Sequence, residues 1–156
     1  MQRLVMLCAG FLFAVLWFDL MVDVQVIPYL DLGVVEEGAL ASIAGYYRRV
    51  TTEASPMHLM VAAMMLAATI AVVLNLIRGT GARWNRIATA VLMLLPVVAA
   101  RIKVLPDARL LGQGVGDLTE RSALAFDIFW LHSAALVVVA AVIVLQFLPS
   151  AGRSDR

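Results

Sequence analysis

The sequence is poor in cysteine. Its single cysteine, Cys8, excludes an internal disulfide, a C-x-x-C redox pair and a cysteine-rich metal site. A lipoprotein-type signal ending at Cys8 would need a longer apolar stretch before it and a residue other than Leu7 beside it. The apolar run continues to Trp17 with no small-x-small cleavage site before Asp19. We therefore expect an uncleaved first span in which Cys8 is a small, buried apolar residue.

Charged residues are also scarce. Only 15% of the 156 residues are charged and 63% are hydrophobic, which leaves too little polar surface for a soluble domain of this size. The excess lies in four apolar runs, each near the roughly 20 residues that cross about 30 Å of hydrocarbon as a helix. The sequence predicts an all-α integral membrane four-helix bundle in one domain, residues 1–156, whose partner is the lipid bilayer and not nucleic acid. The predicted spans are residues 4–23, 56–77, 84–105 and 122–148.

The arrangement of basic residues indicates an orientation. The charged residues of the short loop RGTGARWNR, between the second and third runs, are all basic. In the two longer connections, between the first and second runs and between the third and fourth, basic residues are mixed with acidic ones. Because short loops rich in Lys and Arg stay on the cytoplasmic side, we predict that both termini are cytoplasmic and that the protein lies in the cell (inner) membrane.

Residues 36–50, between the first and second runs, carry a helical pattern of apolar residues. The spacings of three and four residues predict a short amphipathic helix at the outer membrane interface, with Tyr46 and Tyr47 at the headgroup level. The apolar positions are Leu40, Ile43, Tyr47 and Val50.

Other signals predict where the spans bend, begin and end. Pro96 is expected to bend the third span. Ser55 is a good N-cap for the second. The segment that starts at Pro106 contains three glycines and is predicted to be a flexible loop. Asp117 and Glu120 form a D-x-x-E capping box that is expected to start the fourth helix.

Seven ionisable residues fall in the outer halves of the predicted spans: Asp19, Asp23, His58, Arg101, Lys103, Asp127 and His132. Asp19 and Asp23 are one turn apart and share a helix face, and Arg101 at a similar depth is the expected partner of Asp19. These residues predict a polar pocket open to the outside. The alternative is that they mark helix ends and extend to water. The candidate acid–base groups are Asp19, Arg101, Asp127 and His132, and the candidate ligand-binding residues are Trp17, Asp23, Tyr47, His58 and Trp130.

The spacing of potential metal ligands does not favour a metal centre. No helix offers an E-x-x-H or H-x-x-x-H pair, and Asp127 and His132 are five residues apart, so they do not converge easily. We predict neither a metal nor another cofactor.

Three short motifs carry a family resemblance. YYRRVTTEASPM, LPDARL and ALAFDIFWLHSAAL resemble stretches of the anthrone-oxygenase-like family of small four-helix membrane proteins. Ala108 stands where that family has Asn, and His132 replaces a second Asn. The resemblance implies a hydrophobic, aromatic or quinone-like ligand and oxygenation without a metal.

Two classes of function remain open. In the first, a pocket between the outer halves of the helices binds or converts a small hydrophobic molecule. In the second, the chain is a non-catalytic accessory subunit of a homo-oligomer or larger membrane complex. A channel or transporter is the third class; four spans are few for a transporter, and the sequence shows no duplicated broken helix. A cavity in the outer half would favour the first class over the second.

Overall fold

The computed structural model describes residues 2–53, 56–79 and 82–147, which form helices and short turns with no strand among them. Four helical stretches are long and apolar enough to cross a membrane. The all-α class and the four apolar helices predicted from the sequence are confirmed. These stretches are Gln2–Tyr29, His58–Arg78, Arg83–Gln113 and Leu118–Phe147.

The four long helices form a closed ring. Helix α1 (Gln2–Asp23) packs against α3 (Met57–Arg78) and α6 (Leu118–Phe147), and α4 (Arg83–Ala99) packs against the same two neighbours. We call the half of the ring that contains the start of α1 the inner half and the half next to α2 the outer half. The inner half is a close-packed cluster rich in small side chains, which allow helix axes to approach. Its buried members are Val5, Cys8, Ala9, Leu12, Ala68, Ala71, Val72, Ala90, Met93, Val139 and Val142, so the predicted burial of Cys8 is confirmed.

A polar chain that the sequence pattern did not indicate connects α4 and α6 in this inner half. The Gln146 amide donates a 3.0 Å hydrogen bond to Oγ1 of Thr89. The Asn85 amide donates a 3.0 Å bond to the carbonyl of Leu145. Because buried amides are costly unless they are paired, these bonds hold the two helices in register.

The predicted helix between the first two spans is confirmed as α2 (Glu37–Arg48). Its apolar stripe faces the protein, since α2 packs mainly on α5 (Leu105–Gln113) and also on α6. Tyr47 is only 3% exposed, so the prediction that it lies at the headgroup level is wrong. The helix closes the outer end of the bundle.

The third span differs from the prediction beyond Ala99. The chain continues through a π-helical turn, Ala100–Val104, directly into α5, so the first part of the expected loop is helical. Pro106 lies in the first turn of α5, directly after the π-helical turn. Gly114, with φ of +68°, ends the helix.

The start of the fourth helix is as predicted. The amide of Glu120 donates to Oδ1 of Asp117 over 2.9 Å, and the amide of Asp117 donates to Oε2 of Glu120 over 3.0 Å. This reciprocal pair is a capping box. The proposed N-cap of the second span, Ser55, lies outside the described residues.

Candidate functional site

A cavity of about 390 Å³ lies in the outer half of the bundle, and residues of α1, α2, α3, α5 and α6 line it. No described residue of α3 belongs to the outer buried cluster, which is built from α2, α5, α6 and the segment before α2. Tyr47 and Ala108 of this cluster line the cavity together with Val61 and Met65 of α3, so the cavity lies between them. Its walls are mostly apolar, and its polar lining residues are Asp19, Tyr46, Tyr47, Thr51, His58 and His132.

Asp23 lies at the centre of the polar network beside this cavity. Its side chain is about 1% exposed, yet both carboxylate oxygens are paired. The hydroxyl of Tyr47 donates to Oδ1 over 2.6 Å, and Nδ1 of His132 lies 2.7 Å from Oδ2. The network therefore joins the end of α1 to α2 and α6, and it satisfies a carboxylate that would otherwise be costly to bury.

The contacts of Asp23 determine which nitrogen of His132 can meet a ligand. An ionised carboxylate has only acceptors, so Nδ1 of the neighbouring imidazole carries the proton that bonds to Oδ2. The 3.4 Å approach of the Tyr47 hydroxyl to Nδ1 is then not a hydrogen bond, because both groups donate to Asp23. In the neutral ring Nε2 holds a lone pair, and His132 lines the cavity.

A second carboxylate–phenol pair lies one turn earlier on α1. The hydroxyl of Tyr46 donates to Oδ1 of Asp19 over 2.5 Å. The rings of Tyr46 and Tyr47 pack edge to face with centroids 5.2 Å apart. Two consecutive tyrosines of α2 thus each donate a hydrogen bond to one of two aspartates that are four residues apart on α1.

Both phenols remain protonated donors. Burial raises the pKa of Tyr47 far above its ordinary value, and the negative charges of Asp23 and Asp19 raise it further. Burial also raises the pKa of Tyr46, with Asp19 as the next cause. The tyrosines therefore position the aspartates and do not themselves accept protons.

The predicted pair between Asp19 and Arg101 is wrong. Arg101 is exposed in the π-helical turn, and no salt bridge joins it to Asp19 among the described residues. A neutral phenol satisfies Asp19 instead. Asp19 also borders the cavity.

Asp127 is separated from the cavity. It is exposed and forms a 2.9 Å salt bridge with Lys103, which also contacts the buried Asp107 over 2.9 Å. These three side chains tie α6 to the π-helical turn and α5. Neither Asp127 nor Arg101 lines the cavity, so the expected convergence of the four acid–base candidates is not found.

The aromatic walls also differ from expectation. Trp17 is 55% exposed and Trp130 is 58% exposed, and neither lines the cavity. His58, Tyr47 and Asp23 lie at or beside the cavity as the sequence suggested, with His58 on the first turn of α3.

Tyr46 and Thr51 are the polar lining residues that the sequence did not predict, and Tyr46 is the one that contacts a predicted site residue. The sequence does contain a signal for Tyr46. Two adjacent tyrosines, Tyr46 and Tyr47, provide two hydroxyl donors, and Asp19 and Asp23 provide two acceptors on one face of α1. The i,i+4 spacing of Lys103 and Asp107 was likewise a readable pairing signal. Among the described residues, no group of three or more side chains of His, Cys, Asp or Glu is arranged to hold a metal ion.

Comparison of the chain with models of protein families, with curated proteins and with solved structures gives no match.

Proposed function

We propose that this membrane protein binds a small hydrophobic molecule bearing a hydroxyl group, such as a phenol or the reduced form of a quinone. The ligand lies in the cavity and its hydroxyl donates to Nε2 of His132. The observation that supports the proposal most strongly is a histidine oriented by the buried Asp23 in the wall of a mostly apolar cavity.

The dimensions of the cavity suit such a ligand. Sites for small molecules typically have volumes of about 300–1,000 Å³, apolar walls and a few polar groups that fix orientation. The 390 Å³ cavity falls within that range. The cavity has few polar lining residues on mostly apolar walls, which favours a largely apolar molecule with few polar groups, because a polar group buried without a partner is costly.

The paired Asp23 also gives His132 the capacity to accept a proton. A carboxylate on Nδ1 holds the ring in one tautomer and stabilises the imidazolium that forms when Nε2 takes a proton. Conversion of the ligand by proton abstraction is therefore chemically accessible at this position. The resemblance to the anthrone-oxygenase-like family is consistent with an aromatic ligand and remains part of the proposal.

Binding of a matched pair of probes tests the proposal. Protein in lipid nanodiscs is titrated with tritiated 4-phenylphenol and with its methyl ether, 4-methoxybiphenyl, and binding to empty nanodiscs is subtracted. We expect the phenol to bind about tenfold more tightly, because the ether cannot donate to Nε2. Equal affinities would contradict the proposal.

Two histidine variants identify the acceptor. His132→Phe should remove the preference for the phenol, whereas His58→Phe, the matched change on the opposite side of the cavity, should retain it. If neither probe binds to the wild-type protein, the accessory-subunit alternative is favoured instead.

We further propose that both termini lie in the cytoplasm and that the cavity belongs to the outer half of the cell (inner) membrane. The support is the basic composition of the chain around the α3–α4 connection, with Arg78, Arg83 and Arg86 close together in sequence.

A further inference from the structure

A second, smaller cavity adjoins the first on its inner side. It has a volume of about 130 Å³ and lies among α1, α3, α4 with its π-helical turn, and α6. Apart from Asp19 and His132, every residue that lines it is apolar. Pro96, Leu12 and Val139 form part of its wall.

The polar groups lie where the two cavities meet. Asp19 and His132 line both cavities, together with Val15, Met65 and other apolar residues. The outer cavity alone reaches Tyr46 and Tyr47, and the inner cavity alone reaches Pro96. His132 and Asp19 therefore lie at the boundary between a larger and a smaller cavity.

The inner cavity has the size of one aromatic ring. An apolar cavity of about 150 Å³ in another protein stays dry and binds benzene. A space of 130 Å³ without polar groups of its own similarly favours an apolar group over water.

From this arrangement we infer that the ligand is an ortho-substituted phenol or quinol, with its hydroxyl between two apolar parts. The larger part occupies the outer cavity, and a substituent about the size of a benzene ring occupies the inner cavity. The inference rests on the proposed function, because it assumes that the hydroxyl binds to His132. It adds the shape of the ligand: a hydroxyl at one end of a long molecule would leave the inner cavity unused.

Two isomers distinguish these shapes. The hydroxyl of 2-phenylphenol lies beside its phenyl substituent, whereas that of 4-phenylphenol lies at the far end of the molecule. Both have the same composition, so nanodisc binding can be compared after the same correction for lipid uptake. We expect the wild-type protein to bind 2-phenylphenol at least as tightly as 4-phenylphenol.

A substitution that fills the inner cavity provides the decisive measurement. Ala135 lines only the inner cavity, and the adjacent Ala134 on α6 is exposed and lines neither. Ala135→Leu should weaken 2-phenylphenol binding by about tenfold and leave 4-phenylphenol binding unchanged. Ala134→Leu should change neither affinity. If Ala135→Leu does not fold, Ala99→Leu fills the same cavity from α4.

The outcomes separate this inference from the proposed function. If 4-phenylphenol binds in preference to its ether but Ala135→Leu affects both isomers equally, or neither, the two-cavity ligand is wrong and the proposed function stands. If wild-type protein binds none of the probes, both are overturned.

Discussion

The hydroxyl of Tyr47 donates a 2.6 Å hydrogen bond to Oδ1 of Asp23, joining the helix that closes the outer end of the bundle to the end of the first span. Both side chains are buried, at 3% and 1% exposure. The other oxygen of the same carboxylate holds His132. The closing helix is therefore coupled to the histidine that faces the cavity through a single carboxylate.

The two tyrosines should contribute unequally to stability. Tyr47→Phe leaves a buried oxygen of Asp23 without its donor, which typically costs about 1–3 kcal/mol of unfolding free energy. Tyr46→Phe removes the donor of Asp19, which is only partly buried and borders the cavity, so water can replace it. Denaturant unfolding in detergent should therefore show the larger loss for Tyr47→Phe. Equal losses of unfolding free energy would show that the Tyr47–Asp23 hydrogen bond stabilises the fold no more than the Tyr46–Asp19 bond does.

Replacing Asp23 by Asn should reverse the tautomer of His132. The amide oxygen can still accept from Tyr47, but the amide NH₂ then faces Nδ1 and requires a lone pair there. The proton moves to Nε2, which can no longer accept from a ligand hydroxyl. We expect about tenfold weaker binding of 4-phenylphenol, with unchanged binding of 4-methoxybiphenyl.

The exposed Asp31 provides the matched control for that change. Asp31→Asn should alter neither affinity. Retention of full phenol binding in Asp23→Asn would show that the carboxylate does not set the state of His132.

The close approach of α2 and α5 depends on Gly112. A Cβ atom added there would lie 2.8 Å from the backbone nitrogen of Arg48, and this backbone can move only if α2 moves. Gly112→Ala should cost about 1–3 kcal/mol by overpacking and should weaken probe binding, because α2 carries both tyrosines. Gly45→Ala meets no atom within 4 Å and should be neutral or stabilising by up to about 1 kcal/mol. Stability measurements that rank the two variants in the opposite order would contradict this packing.

The proposed orientation can be tested with single cysteines at Ala82 and Val115. Cys8 is buried, so the native thiol should react slowly with a membrane-impermeant maleimide. In intact cells we expect labelling at position 115 and not at position 82, with both labelled after the membrane is permeabilised. Labelling of position 82 alone in intact cells would reverse the assignment.

The sequence was most informative where one physical effect dominates. The length of the apolar runs was enough to predict the four long helices. The helical spacing of Leu40, Ile43 and Tyr47 was enough to predict α2. The capping box at Asp117 was likewise predictable because its partners are three residues apart.

The partners within the polar layer were less predictable because they depend on rotation about helix axes. The sequence places Asp19 and Arg101 at similar depth. In the structure Arg101 is exposed, and Asp19 instead accepts a hydrogen bond from Tyr46 of α2. The prediction placed α2 flat on the membrane surface, so it lacked the element that supplies both phenols. The continuation of the third span into α5 was missed because glycines at 112, 114 and 116 resemble a loop, although Gly112 serves helix contact.

The most direct test of the central claim is nitrogen NMR of His132 in nanodiscs. The chain has two histidines, so ¹⁵N-histidine labelling with a His58→Gln variant assigns the signals. Without ligand we expect a neutral ring protonated at Nδ1, and addition of 4-phenylphenol should shift the Nε2 resonance as it accepts the hydroxyl, whereas 4-methoxybiphenyl should not. A ring protonated at Nε2, or an Nε2 resonance unaffected by saturating phenol, would contradict the claim that His132 receives a ligand hydroxyl.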